Sequence, residues 1–233
     1  METSVRSATQ EIIIGYDRPT VLIGERINPT GKSRLTEALK EGDLPKALKP
    51  ALETYTGKAI VNSVTGEEES LETILPLVKE HGAAVIGLTM NKEGIPKQAE
   101  KRLEIAARIV ERAEAGGIPR KDVIIDCLAL TVGADYRAAL DTIEGVRRVR
   151  EQLGVNQTLG ASNISYGLPN RHVVNHAFLA IAIEAGVTCP TVNAEKVKQT
   201  VLATDLLLGQ DRFIMRFIRD HQVRSKGKCG PLK

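Results

Sequence analysis

Five glycines recur at one kind of place in this chain. Gly57, Gly82, Gly117, Gly154 and Gly186 each close a helical stretch just before a short aliphatic run. Glycine relieves the left-handed backbone in which helices commonly end, so the recurrence reads as a βα repeat. The aliphatic runs are Ala59–Asn62, Ala84–Leu88, Val123–Asp126, Thr158–Ala161 and Val187–Val192. None alternates strictly, as expected of strands buried on both faces. Between them, Leu71, Ile74, Leu75 and Val78 fall at i, i+3, i+4 and i+7, a single apolar helical stripe. Lys101–Ala115, Tyr136–Leu153, Arg171–Ala185 and Lys196–Leu208 are the other long helical candidates. Upstream, Glu11–Gly15 and Thr20–Gly24 read as a β-hairpin around Tyr16-Asp17-Arg18-Pro19.

What fills the core follows from composition. Hydrophobic residues make up 42%, yet only 3 Phe and 4 Tyr occur in 233 residues, with no Trp. The core must therefore be aliphatic, which suits buried parallel strands. The same scarcity argues against binding single-stranded nucleic acid, which needs exposed rings for base stacking. One domain over residues 1–233 is expected. The net charge of +3 is concentrated at the end, where Arg216, Arg219, Arg224, Lys226, Lys228 and Lys233 face a single acid, Asp220. Residues 219–233 read as a basic, mobile tail. Cys127, Cys189 and Cys229 are odd in number and lack metal-ligand spacing, pointing to a reducing compartment. Met1–Gln10 has no apolar core, and no run reaches the roughly 18 apolar residues of a membrane span. A cytoplasmic location, with no membrane partner, is the expectation.

Alternating strands and helices with parallel pairing allow a closed (β/α) barrel or an open doubly wound sheet. No Gly-x-Gly-x-x-Gly follows the first strand, so a dinucleotide fold has no positive support. In a barrel, chemistry sits at the C-terminal strand ends. Those ends carry Glu25, Arg26 and Asn28; Asn62 and Ser63; Thr89, Met90 and Asn91; Asp126; Ser162, Asn163 and Ser165; and Asn193. Asparagine recurs there, and no histidine cluster suggests a metal.

These residues fall in ordered motifs. Ile23-Gly24-Glu25-Arg26-Ile27-Asn28-Pro29-Thr30-Gly31-Lys32 comes first, then Val61-Asn62-Ser63-Val64-Thr65-Gly66-Glu67 and Gly87-Leu88-Thr89-Met90-Asn91. The last is Gly160-Ala161-Ser162-Asn163-Ile164-Ser165, followed by Gly167-Leu168-Pro169-Asn170-Arg171. Taken in order, over about residues 20 to 215, they resemble the pterin-binding methyltetrahydrofolate:corrinoid methyltransferases and the folate module of cobalamin-dependent methionine synthase. The resemblance implies a TIM-barrel-type fold that binds 5-methyltetrahydrofolate in its C-terminal mouth. It implies transfer of the N5 methyl group to the cob(I)alamin-type cobalt of a corrinoid carried by a partner protein. It also implies a homodimer.

The residue types suit that chemistry. Cob(I) supplies the nucleophile, so the protein must orient the pterin and stabilise N5 as charge changes there. An amide can donate to N5 and adapt to its protonation; by resemblance Asn163 takes that role. A carboxylate accepts two adjacent donors well; by resemblance Asp126 takes the amino-pyrimidinone edge, with Asn62 beside it. Ser162, Tyr166 and Arg171 match positions near the ligand. Each residue also has a structural reading. A strand-end Asn is commonly a turn or N-cap residue, and Arg171 could close a salt bridge. His172 and His176, at i, i+4 with no third ligand, read as helix-face histidines, and Cys127 as a buried small group. Glu25 and Arg26 read as an internal ion pair.

One region departs from the pattern. The family barrel has two βα units between its first helix and the strand ending in Asn62, and here Ser33–Lys58 holds only one helical stretch. Arg34–Asp43 reads as the first barrel helix and Ala51–Lys58 as the helix before the Asn62 strand, with a junction between Leu44 and Ala51. The expected fold is thus α/β, a barrel-type architecture of about six parallel strands lacking two βα units, with an N-terminal β-hairpin. By resemblance the lost strands supply a second carboxylate, worth about 1.5–3 kcal/mol or one to two decades of affinity. An inactive or weakened pterin-binding remnant is therefore the alternative function. A dihydropteroate synthase ranks third, because no Lys, Arg or His stands in Ser162–Ser165 or Thr191–Ala194 to handle pyrophosphate.

Overall fold

The computed structural model describes residues 12–13, 44–55 and 57–228. Its elements alternate as the glycine punctuation predicts. They run β1 (Ile12–Ile13), α1 (Leu44–Thr54), β2 (Ile60–Val64), α2 (Glu68–Glu80), β3 (Ala84–Leu88) and α3 (Ala99–Ala115). There follow β4 (Val123–Asp126), α4 (Ala138–Leu153), β5 (Asn156–Thr158), α5 (Arg171–Ala185), β6 (Thr191–Val192), α6 (Ala194–Leu207) and α7 (Met215–Lys228). All five punctuating glycines have positive φ. At Gly154 the left-handed residue returns its N–H to the carbonyls of Val149 and Arg150, closing α4 in one step.

β2, β3, β4 and β5 form one parallel sheet in sequence order. β6 joins β5 through the parallel bridge Gly160↔Thr191 and the bond from Thr191 N to Leu159 O at 2.9 Å. A doubly wound sheet reverses its strand order at a switch point; five successive parallel strands with no reversal make the wall of a barrel. β1 pairs antiparallel with β6, Ile12 opposite Val192. The expected sixth parallel strand, Thr20–Gly24, lies outside the described residues. So do the remainder of the hairpin, Glu25, Arg26, Asn28, the Arg34–Asp43 helix and Cys229. Among the described residues, β2 has a strand partner on one side only, β3, and its outer edge is where the two absent βα units would stand.

The two faces of the sheet bury different things. Val61, Val85, Val123 and Ile125 face the helices and pack with Leu71, Leu75 and Val78 of α2, Ile109 of α3, Val146 of α4 and Leu179 of α5. Ala84, Ile86, Ile124 and Cys189 form a second, smaller cluster with Ile60 and Leu88, the inner side of the wall. α3 lies so close to β3 that a Cβ on Gly87 would stand 2.7 Å from Ile109 Cγ2.

Several boundaries differ from expectation, and the strand read as Val187–Val192 is the shorter Thr191–Val192. The strand read as Thr158–Ala161 is Asn156–Thr158, because Gly160 leads directly into a 3-10 turn over Ala161–Ser165. The stretch between Leu44 and Ala51 is no break: α1 runs straight through it with Pro50 inside. Leu48 and Leu52 hold α1 to the core, which offsets the hydrogen bond that proline removes. Residues 219–228, read as the start of the tail, continue helix α7. Its buried Asp220 pairs with Lys198 at 2.7 Å and Arg224 at 2.8 Å. No helix among the described residues is long and apolar enough to cross a membrane.

Candidate functional site

The C-terminal ends of the strands are laced together by loop hydrogen bonds. Gly66 N donates to Met90 O at 3.0 Å, Thr89 N to Asp126 O at 3.0 Å, and Val132 N to Ile164 O at 2.9 Å. Thr131 Oγ1 donates to Tyr166 O at 2.7 Å. The loops after β2, β3, β4 and β5 thus form one connected rim.

Asp126, the last residue of β4, points along the inner face of that rim. Register places Leu88, Asp126 and Thr158 side by side, and Asn62, Ile86 and Ile124 one pleat lower on the same face. Asn62 and Asp126 therefore share a face two strands apart, and the Asn62 side chain is exposed. Asp126 Oδ1 accepts from Leu128 N at 2.7 Å, and Leu128 itself stands at φ 59°. Burial pushes the Asp126 carboxyl from 3.8 up to about 6, against the pull of the Leu128 amide and the Arg102 guanidinium. The neighbouring Cys127 thiol is fully buried and pushed up to about 12, first by burial and then by Asp126. It behaves as the buried small group expected.

The raised Asp126 pKa has a measurable consequence. The folded chain holds this proton to about pH 6, whereas an unfolded Asp releases it near 4. Between those values the folded state binds more protons, so stability falls as pH rises from about 4 to 6. A gap of about two between the folded and unfolded pKa corresponds to roughly 3 kcal/mol, lost by neutral pH. Other carboxylates held low, Glu68, Asp135, Asp211 and Asp220, act in the opposite sense, so the test is the difference: from pH 4 to 7 the denaturant midpoint of the native chain should fall relative to that of Asp126→Asn, and parallel pH profiles would overturn the assignment.

Asn163 sits in the 3-10 turn, exposed, and its side-chain amide has no partner among the described residues. The backbone around it is fixed: its N–H donates to Gly160 O at 3.0 Å and its carbonyl accepts from Tyr166 N at 3.1 Å. The amide lies against Gly160, where a Cβ would stand 2.9 Å from Nδ2. Glycine there is what lets the amide occupy its place.

Arg171 braces the same turn. Nη2 donates to Ser162 O at 2.8 Å and Nε to Ser165 Oγ at 3.0 Å. Ser165 Oγ passes the connection on to Asn175 Oδ1 at 2.7 Å. The Arg171 guanidinium also lies 5.8 Å from the centre of the Tyr166 ring, which is 70% exposed. Asn163, Ser162, Tyr166 and Arg171 are thus brought together on one turn, and Asn62 and Asp126 on the strand face beside it.

Two strand-end asparagines have plainly local duties. Asn193 caps α6, its side chain accepting from Lys196 N at 3.2 Å, and Asn91 Oδ1 accepts from Glu93 N at 2.9 Å in a turn. His176 Nδ1 pairs with Thr200 Oγ1 at 3.0 Å. No group of three or more His, Cys, Asp or Glu among the described residues is arranged to hold a metal ion.

The residue that sequence reasoning missed is Arg102. It is 1% exposed on α3. Nη1 donates to Cys127 O at 2.7 Å, and Nε to Pro96 O at 2.6 Å. Longer contacts of 3.3 Å reach Leu128 O and Thr142 Oγ1. Its stem passes Gly145, where a Cβ would stand 3.4 Å from Arg102 Cδ, in van der Waals contact. The signal was present in the sequence: Arg102 falls on the buried stripe with Ala99, Ala106, Ile109 and Ala113.

Comparison with known proteins gives the family and the fold. The family model described as "Pterin binding enzyme" matches residues 43–193. The chain is 34% identical over 178 residues to methionine synthase of Mycobacterium leprae (strain TN), covering 71% of this chain and 15% of that protein. It is 36% identical over 186 residues to methionine synthase of Mycobacterium tuberculosis (strain ATCC 25618 / H37Rv), covering 71% and 16%. It is 28% identical over 196 residues to the methylcorrinoid:tetrahydrofolate methyltransferase of Eubacterium limosum, covering 81% of this chain and 70% of that one. The chain therefore spans about a sixth of the methionine synthases it matches. Among solved structures, the dihydropteroate synthase of Stenotrophomonas maltophilia superposes with a TM-score of 0.54 at 18% identity, covering 72% of this chain and 67% of that one. A Yersinia pestis dihydropteroate synthase gives 0.56 at 12% identity, covering 82% and 79%. At those identities the likeness is one of fold, a barrel of which this chain holds part. The matched model covers well over half the chain, and the protein belongs to the family of pterin binding enzymes.

Proposed function

We propose that the rim binds 5-methyltetrahydrofolate and that the chain passes its N5 methyl group to the cobalt of a corrinoid delivered by a partner protein. The observation that carries this is the Asn163 amide, without a partner among the described residues, on a turn braced by Arg171 and beside the half-buried Asp126 carboxylate of the same rim. At neutral pH Asp126 is ionised and accepts the paired N–H donors of the pterin edge, with Asn62 and Ser162 as further contacts. The N5–CH3 bond breaks as the Co–C bond forms; cobalt gives up two electrons and N5 takes a proton. Asn163 donates to N5 as charge changes there, and the corrinoid supplies the nucleophile as a substrate. The names of the Eubacterium limosum and mycobacterial relatives support this reading. A homodimer in the cytoplasm is part of the proposal.

A second reading, a pterin-binding remnant without turnover, is favoured by the one-sided β2 edge. Mixing the protein with 5-methyltetrahydrofolate and cob(I)alamin separates the two. Loss of the cob(I) absorbance and appearance of methylcob(III)alamin, in proportion to protein, is the expected outcome. Tetrahydrofolate binding with no methyl transfer selects the remnant, and no binding at all overturns both.

A further inference from the structure

The loop that follows Asp126, residues 127–137, is tied down at its start, middle and end. Arg102 holds the start through the Cys127 carbonyl at 2.7 Å. Lys97 holds the end to the loop after β3, pairing with Asp135 at 2.7 Å. The middle is tied to the Asn163 turn. Val132 N donates to Ile164 O at 2.9 Å, and Thr131 Oγ1 donates to Tyr166 O at 2.7 Å. Among the described residues the Thr131 contact is the one side-chain hydrogen bond between that loop and that turn.

The Thr131 hydroxyl has little freedom. Its oxygen accepts from Gly133 N at 3.1 Å, and its single proton is committed to the Tyr166 carbonyl. A local turn is complete with the Gly133 contact alone; the donation to Tyr166 reaches across 35 residues of sequence. Tyr166 in turn donates its N–H to the Asn163 carbonyl at 3.1 Å. The two segments approach closely, since a Cβ on Gly133 would stand 3.3 Å from both Thr131 Oγ1 and Tyr166 O.

On the reading that the rim binds a methyltetrahydrofolate, on which this rests, we infer that Thr131 is a positioning residue for methyl transfer. It ties the turn that carries Asn163 to the loop that begins at Asp126, and so sets the amide against the carboxylate. A pterin is a rigid fused ring. With its amino-pyrimidinone edge at Asp126 and N5 at Asn163 it spans the two segments, and their separation decides whether the amide reaches N5. Arg171 braces the turn from α5, which fixes the shape of the turn and not its distance from Asp126. Misplacement of a reacting group by about 1 Å costs roughly 100-fold in rate.

Single-turnover formation of methylcob(III)alamin from bound 5-methyltetrahydrofolate and excess cob(I)alamin tests this, with tetrahydrofolate affinity measured beside it. Thr131→Val keeps the bulk and removes the donor. With the Val132 bond still in place, it should slow transfer by about tenfold and move affinity by less than about twofold. Thr131→Ser keeps the hydroxyl and should return the rate to within about twofold of the native chain. In an Asn163→Ala background Thr131→Val should cost nothing further, because the amide it positions is gone. No loss of rate in Thr131→Val, an equal loss of rate and affinity, no rescue by serine, or the same loss in the Asn163→Ala background overturns the inference and leaves the folate reading standing. A native chain that forms no methylcob(III)alamin ends the methyl-transfer reading and the inference with it.

Discussion

If the proposed reaction is this chain's, Asn163→Ala should slow methyl transfer from 5-methyltetrahydrofolate by about 100- to 1,000-fold, the usual cost of removing one donor aimed at developing charge. On the proposed reading tetrahydrofolate affinity should move by less than tenfold, because Asp126, Asn62 and the rim backbone would still hold the pterin. The asymmetry follows from what the amide does in each state. In the ground state it makes one neutral hydrogen bond, worth about 1 kcal/mol net. In the proposed transition state it would face an N5 whose charge is changing, where the same donor would count for more. Gly160→Ala is the companion experiment. It leaves the amide in the chain but drives a methyl to within 2.9 Å of Asn163 Nδ2. The turn must move or the amide must turn away, and the expected loss is again in kcat. If Asn163→Ala weakens binding and rate by the same factor, the amide holds the substrate and takes no special part in the transfer.

Where sequence reasoning succeeded and where it stopped both have physical causes. The βα order was legible because helix termination before a buried strand is a local event. Gly82, Gly117, Gly154 and Gly186 each sit within a residue or two of the helix end they close. The rim residues were legible because strand ends are set by where aliphatic runs stop, as at Asp126. Asn193 and Asn91 show the limit of that logic. The same residue type at the same kind of position caps a helix or makes a turn, and only side-chain partners tell them apart from Asn163. The continuity of α1 through Pro50 was not legible, since it depends on Leu48 and Leu52 meeting α2 and the core, contacts set by tertiary packing. Arg102 was missed for the same reason. An arginine on an apolar stripe announces burial, but its acceptors are backbone carbonyls, which no side-chain pattern encodes.

Arg102→Met should destabilise the protein by roughly 3–5 kcal/mol, lowering the thermal midpoint by about 10 °C for a chain of this size. The methionine fills most of the volume, so the loss is not one of packing. It comes from carbonyls of Pro96 and Cys127 that lose a charged donor, the Cys127 carbonyl in a buried position. The effect reaches the rim. Arg102 holds the Cys127–Leu128 backbone, and Leu128 N is the donor that fixes the Asp126 carboxylate. Removing the guanidinium also takes away a charge that draws the Asp126 pKa downward, so the pH step in stability should move higher. Arg102→Lys keeps the charge but offers no planar fork; it should reach one carbonyl at a time and fall between the two in stability. A substitution acting only through bulk would leave the Asp126 pH step in place, and Arg102→Met within about 1 kcal/mol of the native chain would show that this guanidinium does not hold the rim.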